Sequence, residues 1–316
     1  MKKMVNRTVV EGYLYNNSLE EKTYSENAKR PGAKYIMGTV EIATDDAQTN
    51  IVPVYFSFVS EPEADAKPVM KSRYETLVNI MNGNIKSIMK DGKENAAKLQ
   101  ISSAIGVNDF YSDRNGSLEL VSAKRNEGGF IRSQSALNDE SMRNTFEVDI
   151  VITNVRHVEA DDERNLPEKA IVSGYIFDFR NAIMPVEFSV NSPGAMNYFE
   201  SLGVSRSNPF FTKVSGHQVS ATVNRTIVKE SAFGEDSVRI VKDTRKEWII
   251  DWAQKEEYEF GEDTLTNEEI KSALADREIM LADRKSRAMN RNNAISEPAK
   301  SNTNYSVKKS DSTFDF

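Results

Sequence analysis

Few residues of this chain are equipped for bond-making chemistry. Its 316 residues include two histidines, His157 and His217, and no cysteine. Cysteine nucleophiles, thiolate metal sites and disulfides are excluded together, and a chain without thiols suits a reducing compartment. The two histidines lie far apart in sequence, so a histidine metal cluster is not expected. No phosphate-cradling loop, dinucleotide fingerprint, nucleophile elbow or zinc-binding helix motif occurs. Acidic pairs at Asp45/Asp46, Asp161/Asp162 and Glu256/Glu257 fall in apparent turns or in an acidic segment, where solvated charge is the ordinary reading. No catalytic residue, metal or cofactor is expected, and the chain reads as a binding protein rather than an enzyme.

What the sequence does interleave is aromatic rings with cations. Tyr13, Tyr15, Tyr35, Phe110 and Tyr111 lie on or beside strand-like segments, with Arg30, Lys34, Arg114, Lys124, Arg125 and Arg132 around them. Further on, Tyr175, Phe177 and Phe179 recur at period two, followed by Arg180, while Lys213, Arg225, Lys229 and Arg245 supply charge. Rings offer faces on which unpaired bases stack, at about 1–3 kcal/mol each, and cations track the phosphates. A period-two aromatic row is also what a core strand carries, and a single basic residue is also ordinary solvated surface. Phe210-Phe211 fits packing and stacking equally.

The elements that must position these residues are announced by a repeat. Ile51-Val-Pro-Val-Tyr-Phe-Ser returns as Ile183-Met-Pro-Val-Glu-Phe-Ser. The first copy starts with the alternating Thr8–Tyr15, continues through Lys34–Thr44 with Gly38 inside it, and reaches Ile51–Val59. A helical segment at Arg73–Met89 follows, then Lys98–Tyr111 and Ser117–Arg125, joined by an Asn115-Gly116 hairpin signal. The second copy repeats that order with Phe146–Val155, Ala170–Phe179 (Gly174 in the role of Gly38), Ile183–Val190, a short helix ended by Gly203, Phe211–Thr226 and Asp236–Thr244. Strand, glycine-bent strand, strand, helix, strand, strand is the order of an OB barrel. A proline inside a strand sits where its missing N–H is not needed, so Pro53 and Pro185 predict the same edge or bulge twice. The fold expected is mainly β with helical additions: two OB-like five-stranded β-barrels in tandem, a C-terminal helix and a disordered tail. Any duplicated antiparallel barrel or sandwich fits the same string. The expected boundaries are 1–135, 144–252, an acidic and helical segment 253–291, and a linker and tip 292–316.

Net charge is −7, with 39% hydrophobic and 28% charged residues. The charge is unevenly spread. Residues 251–283 hold eleven acidic side chains against three basic, and 284–316 hold seven basic against three acidic. An acidic total therefore leaves room for a local basic groove. No apolar run approaches the ~20 residues that cross a bilayer, and no apolar stretch follows the basic N-terminus, so neither membrane association nor a signal peptide is expected. Thr264–Asn290 reads as one amphipathic helix with a capping box at Thr266/Glu269 and cations near its end. It suits packing on the second barrel or a partner surface, including self-association into a homo-oligomer. The Asn-, Ser- and Lys-rich stretch after Asn292 reads as a disordered linker ending in Asp311, Phe314, Asp315 and Phe316.

This layout resembles the OB-fold single-stranded-DNA-binding proteins of replication in bacteria and their viruses. It shares with them the element order in both copies and the plan of barrel, low-complexity linker and acidic tip ending in an aromatic. It departs from them in its shorter acidic run, in Thr313 and Phe314 standing where a proline usually precedes the last aromatic, and in Lys308 and Lys309. The resemblance implies a protein of replication and recombination, cytoplasmic (in the host cytoplasm if viral). It would bind single-stranded DNA without sequence preference and recruit replication proteins through Asp311, Phe314, Asp315 and Phe316. A structural or assembly protein such as a virion component, and an accessory subunit of a polymerase, are the alternatives.

Overall fold

The structure is a computed structural model that describes residues 4–114, 117–161, 166–229, 231–234 and 237–296. It is mainly β with a few helices. The first half runs β1 (Asn6–Asn17), β2 (Glu20–Thr23), β3 (Lys34–Ala43), β4 (Ile51–Ser60), α1 (Pro68–Met81), α2 (Ile88–Asp91), β5 (Lys98–Arg114) and β6 (Ser117–Ser133). After a 3-10 turn come β7 (Asn144–Val158), β8 (Lys169–Phe177), β9 (Ile183–Val190), α3 (Pro193–Ser201), β10 (Phe210–Lys229), β11 (Ser237–Ala253) and α4 (Asn267–Ser296). No helix among the described residues is long and apolar enough to cross a membrane.

The strand pairing closes on itself twice. In the first half β1 pairs with β3, β3 with β4, β4 with β6, β6 with β5, and β5 returns to β1. In the second half β7, β8, β9, β11 and β10 close a ring by the same rule. The seam of each ring is a short parallel contact, at Val54↔Asn126 and Tyr55↔Glu127 in one and at Ile249↔Ser189 in the other. Alternating apolar residues fill each ring, with Leu14, Val40, Val54, Phe56, Leu77 and Leu99 in the first and Phe146, Ile150, Val172, Phe188, Phe199 and Val214 in the second.

Three details differ from the sequence expectation. The helix expected at Arg73–Met89 is α1 and the one-turn α2, because Pro68 sets the first turn and Gly83, at φ 76°, ends the helix early. The polar stretch after Asn16 contains β2, which extends the sheet on β3. The glycines are not equivalent. Gly38 lies opposite Phe56, whereas the residue opposite Phe188 is Val172, and Gly174 lies opposite Val186. Each glycine still has its own reason. A Cβ on Gly38 would sit 2.3 Å from the Ser18 carbonyl oxygen, and one on Gly174 2.3 Å from that of Val151, so both admit a close backbone approach.

The rings are joined through β1 and β7, the first strand of each, which pair antiparallel from Asn6↔Val148 to Val10↔Asn144. Equivalent strands paired this way are related by a two-fold axis. Bulges at Leu14/Asn16 and Ile152/Asn154 mark the same place in both strands. Matching them makes Phe146 the counterpart of Thr8, and these two residues face each other, so the local axis passes between them. Other contacts obey it: β10 rests against β4 as β5 rests against β9. The two long hairpins, β5–β6 and β10–β11, thus each reach across to the other ring.

The C-terminal helix fastens this crossing. Its capping box forms as expected: Thr266 Oγ1 accepts from the Glu269 N–H (3.1 Å) and Glu269 Oε2 accepts from the Thr266 N–H (2.9 Å). Leu265 and Ile270 then pack on the outside of the second ring with Phe177, Ile183 and Phe211. Further along, Arg277 reaches the first ring's hairpin and pairs with the buried Asp109 at 2.8 Å, and Arg284 donates to the Asp109 carbonyl (2.6 Å).

Candidate nucleic-acid interface

The crossing hairpins enclose a cleft on each ring. One, of ≈ 900 Å³, lies between the β8–β9 face of the second ring and the β5–β6 hairpin, and Tyr175, Pro185, Glu187, Lys124 and Arg206 line it. The other, of ≈ 250 Å³, lies between β4 and the β5–β6 hairpin of the first ring and the β10–β11 hairpin, and Pro53, Tyr55, Arg125, Lys246 and Trp248 line it. Each cleft contains the proline of the repeat, as the two-fold axis requires.

Lys124 lines both clefts. Its Nζ lies 4.1 Å from the ring centre of Phe188 and 5.2 Å from that of Trp248, and it donates to the Glu187 carbonyl. Burial pushes its pKa down to about 7, against the pull of the Glu187 carboxylate. The sequence places Lys124 among the cations expected to flank a nucleic-acid groove. The ammonium is instead a wedge between the rings, because the hairpin that carries it crosses to the second ring. Beside it, Asn126 and Gln218 exchange two side-chain hydrogen bonds (2.8 and 3.0 Å) while buried, which pins the two hairpins together.

From the smaller cleft a line of rings and cations follows the β4–β6 seam. The Arg125 guanidinium lies 5.0 Å from the Tyr55 ring and is paired with Glu127. Next, Arg73 of α1 sits between Phe56 (6.0 Å) and the exposed Phe130 (5.7 Å). Burial lowers its pKa, and its Nε has no hydrogen-bond partner. The line ends in a cluster of Tyr24, Tyr35 and Phe58, with centroid separations of 4.5, 5.1 and 6.5 Å. Phe58 is 59% exposed at φ 51°, a left-handed conformation that a bulky residue adopts only under constraint. It occupies a bulge in β4, where two residues stand opposite Met37. The second copy has Val190 directly after Ser189, so Phe58 is the residue by which the first copy exceeds the second. From Pro53 to Phe58 the strand rises about 17 Å.

The predicted residues distribute unevenly over this geometry. Tyr35 belongs to the terminal cluster, Arg125 to the seam, and Tyr175 lines the larger cleft while also packing against the outer core. Arg30 and Lys34 flank the cluster but hold Glu63 (3.3 Å) and Glu21 (2.7 Å). Lys213 holds Glu147 at 2.9 Å. Tyr13 and Tyr15 are half-buried on β1, Tyr13 between Lys93 and Lys98, on a patch apart from the clefts. Phe110 and Tyr111 lie toward the far end of the β5–β6 hairpin, and Arg132 is exposed on β6. Phe179 is 81% exposed, with the Arg180 guanidinium 5.0 Å from its ring. The side chains of Arg114, Arg225, Lys229 and Arg245, and the tip residues Asp311, Phe314, Asp315 and Phe316, lie outside the described residues.

One assignment is overturned. Phe177 is 1% exposed and cannot stack a base. Tyr175 and Phe177 share a face of β8, and Phe179 leaves it, because β8 ends at Phe177 and Asp178 caps a turn through Asn181, at φ 63°. Leu265, Ile270 and Phe260 cover the outer side of β8 and make it a second core. Phe211 is buried in the same cluster. The seam residues Tyr24, Tyr55, Phe58, Arg73 and Phe130, and Arg206 and Trp248 in the clefts, were not singled out from sequence. The only sequence signal among them is the inserted Phe58.

The histidines do ordinary work. His217 Nδ1 meets Asp251 Oδ2 at 2.6 Å. His157 is ringed by Glu200 (2.8 Å), Glu168 (3.0 Å) and Glu159 (3.6 Å), of which Glu159 and Glu168 stand close enough to share a cation with it. The Glu200 hydrogen bond, with the other carboxylates, raises its pKa.

No curated protein matches the chain. Among solved structures it is similar to the wild-type single-stranded DNA binding protein from Thermus aquaticus, with a TM-score of 0.43 and 10% identity over 82% of this chain and 95% of that one. It is similar to a deletion mutant of the same protein with a TM-score of 0.43 and 9% identity, over 83% and 100% of the two chains. The YorF family model matches residues 4–287, nearly the whole described length, and the chain belongs to that family.

Proposed function

We propose that the chain binds single-stranded DNA with little sequence preference, chiefly through the first ring. The observation that carries this reading is the β4–β6 seam. There Tyr55, Phe130 and the Tyr24–Tyr35–Phe58 cluster alternate with Arg125 and Arg73, and one of the exposed rings is held in a strained backbone conformation. Strain of this kind costs about 1–3 kcal/mol and persists at ligand-contacting positions. Stacking on such rings is blind to base identity, because every base has a π face. Three cations on or beside the path, Arg73, Arg125 and Lys246, give a slope of log affinity against log salt of roughly −2. Titration of labelled oligo-dT at several salt concentrations tests this. A flat salt response, or duplex bound as tightly as single strand, refutes it.

The replication and recombination role, with partners recruited through Asp311, Phe314, Asp315 and Phe316, belongs to the same proposal and rests on the sequence of the tip. Deleting residues 310–316 should abolish partner capture and leave oligo-dT binding intact. A second reading, as an assembly protein, is favoured by the β10–β11 hairpin, where Ile227, Val228, Phe233 and Val238 are 40–98% exposed. Light scattering with and without oligonucleotide separates the two: stable large oligomers without DNA affinity support assembly.

A further inference from the structure

The rings that carry the two clefts are related by the local two-fold axis, with Pro53 and Pro185 in equivalent places in them, and this limits how a polynucleotide can fill both. A two-fold axis maps any path from one cleft into the other onto itself end for end. A strand of uniform polarity that crosses between the clefts therefore lies in one of them 5′ to 3′ and in the other 3′ to 5′, in each ring's own frame. A polynucleotide backbone is directional, so a groove shaped for one direction mismatches phosphates and sugars in the other.

We propose that the ≈ 900 Å³ cleft is a second single-strand site, and that the protein holds two segments of opposite polarity, one on each ring. The inference rests on the single-stranded-DNA reading of the first ring. The second cleft has the parts for it. Tyr175, paired with Pro185 on β8, offers a partly exposed ring edge to the cleft, at the place that Glu41 holds beside Pro53 in the first ring, while Glu187 stands at the position of Tyr55. Arg206 lines the cleft with no ion pair among the described residues, and the exposed Asn154 supplies a neutral donor. Lys124 lines both clefts and marks where they meet. A protein of this geometry favours a strand that folds back, or two strands brought together antiparallel, over one strand drawn straight through.

The test uses the full chain and three fluorescent oligo-dT probes of about 20 nucleotides, enough for two segments within the 4–16 nucleotides that one OB fold covers. One has uniform polarity, one is inverted at its centre by a 5′–5′ linkage, and one by a 3′–3′ linkage. One inverted probe should bind about 10-fold or more tighter than the uniform probe, because its second half is then held at high effective concentration in the correct direction. Tyr175→Ala with Arg206→Ala should remove that gain and leave the affinity for a short dT of about 8 nucleotides unchanged. Equal affinity for all three long probes, with binding otherwise intact, overturns the opposed-polarity arrangement and leaves the first-ring reading standing. Failure of every probe, the short one included, overturns that reading itself.

Discussion

Lys124 lends itself to a quantitative test. Its ammonium is enclosed by Phe188, Trp248 and the Glu187 carbonyl, and burial pushes its pKa down to about 7. In the unfolded chain it titrates near 10.4. Between those values the unfolded chain carries a proton that the native protein lacks, so unfolding takes up a proton and rising pH opposes it. Stability must therefore rise with pH in this window, by at most about 1.4 kcal/mol per unit. From pH 7 to 9 the gain is about 2 kcal/mol, since the native group is already half titrated at the lower limit. The two ring faces work the other way, each favouring the charged form by about 1–2 kcal/mol, so the total gain across the window reports how far desolvation exceeds them. Lys124→Met keeps the length of the stem and removes the charge. Urea unfolding of both proteins at pH 7, 8 and 9, followed by tryptophan fluorescence, gives the difference directly, and other titrating groups cancel. In a Trp252→Phe background the emission of Trp248 should itself titrate with a midpoint near 7 and stop doing so in Lys124→Met. A wild-type-minus-variant difference that stays flat from pH 7 to 9 refutes the buried-wedge account.

Phe58→Gly should relieve the left-handed strain, raising or holding stability within about 1 kcal/mol, while oligo-dT affinity drops about 5- to 100-fold with one stacking platform lost. Parallel thermal melts and titrations check this, and unchanged affinity removes Phe58 from the interface. Arg277→Ala leaves the carboxylate of Asp109 buried without its guanidinium and should cost about 3–5 kcal/mol in urea unfolding. The double variant Asp109→Asn with Arg277→Ala should recover part of that loss. Phe177→Ala should cost about 3–5 kcal/mol as a core deletion and leave oligo-dT affinity unchanged in the folded protein. A stable variant with weakened binding would return Phe177 to the interface.

The strand order was legible because the repeat carries it: two copies of Ile-x-Pro-Val-x-Phe-Ser fix the third strand of each ring, and the rest follows by alternation and turn signals. Residue-level assignments failed where the deciding contact is distant in sequence. Phe177 is buried by Leu265 and Ile270, nearly ninety residues later, and nothing in the period of β8 announces that cover. Lys124 reads as a hairpin cation until the hairpin is seen lying on Phe188 and Trp248. Phe58 was hidden for a different reason. Alternation along β4 assigns its face from its neighbours, and only a positive φ turns it out to join Tyr24 and Tyr35. Gly174 was matched to Gly38 because both interrupt a β-rich run, yet the pairing sets them two positions apart. The capping box at Thr266 was read correctly because every atom it needs lies within four residues.

The two rings share a topology and differ at the position that decides their chemistry. Counting from the repeat's proline, the first ring places Tyr55 where the second places Glu187. Tyr55 offers a face to Arg125 at the mouth of the smaller cleft, whereas the backbone carbonyl of Glu187 holds Lys124. One substitution therefore has two consequences. It withdraws a stacking surface from the second ring, and it places a carboxylate beside an ammonium whose charge is nearly balanced at neutral pH. A phosphate entering at the junction would favour the protonated lysine and be favoured by it. Filling of the larger cleft should thus take up a proton above pH 7, while stacking along the β4–β6 seam should not. The affinity of a short oligo-dT confined to the first ring would then be insensitive to pH where that of the long inverted probe weakens as pH rises, a difference that a common groove across both rings does not produce.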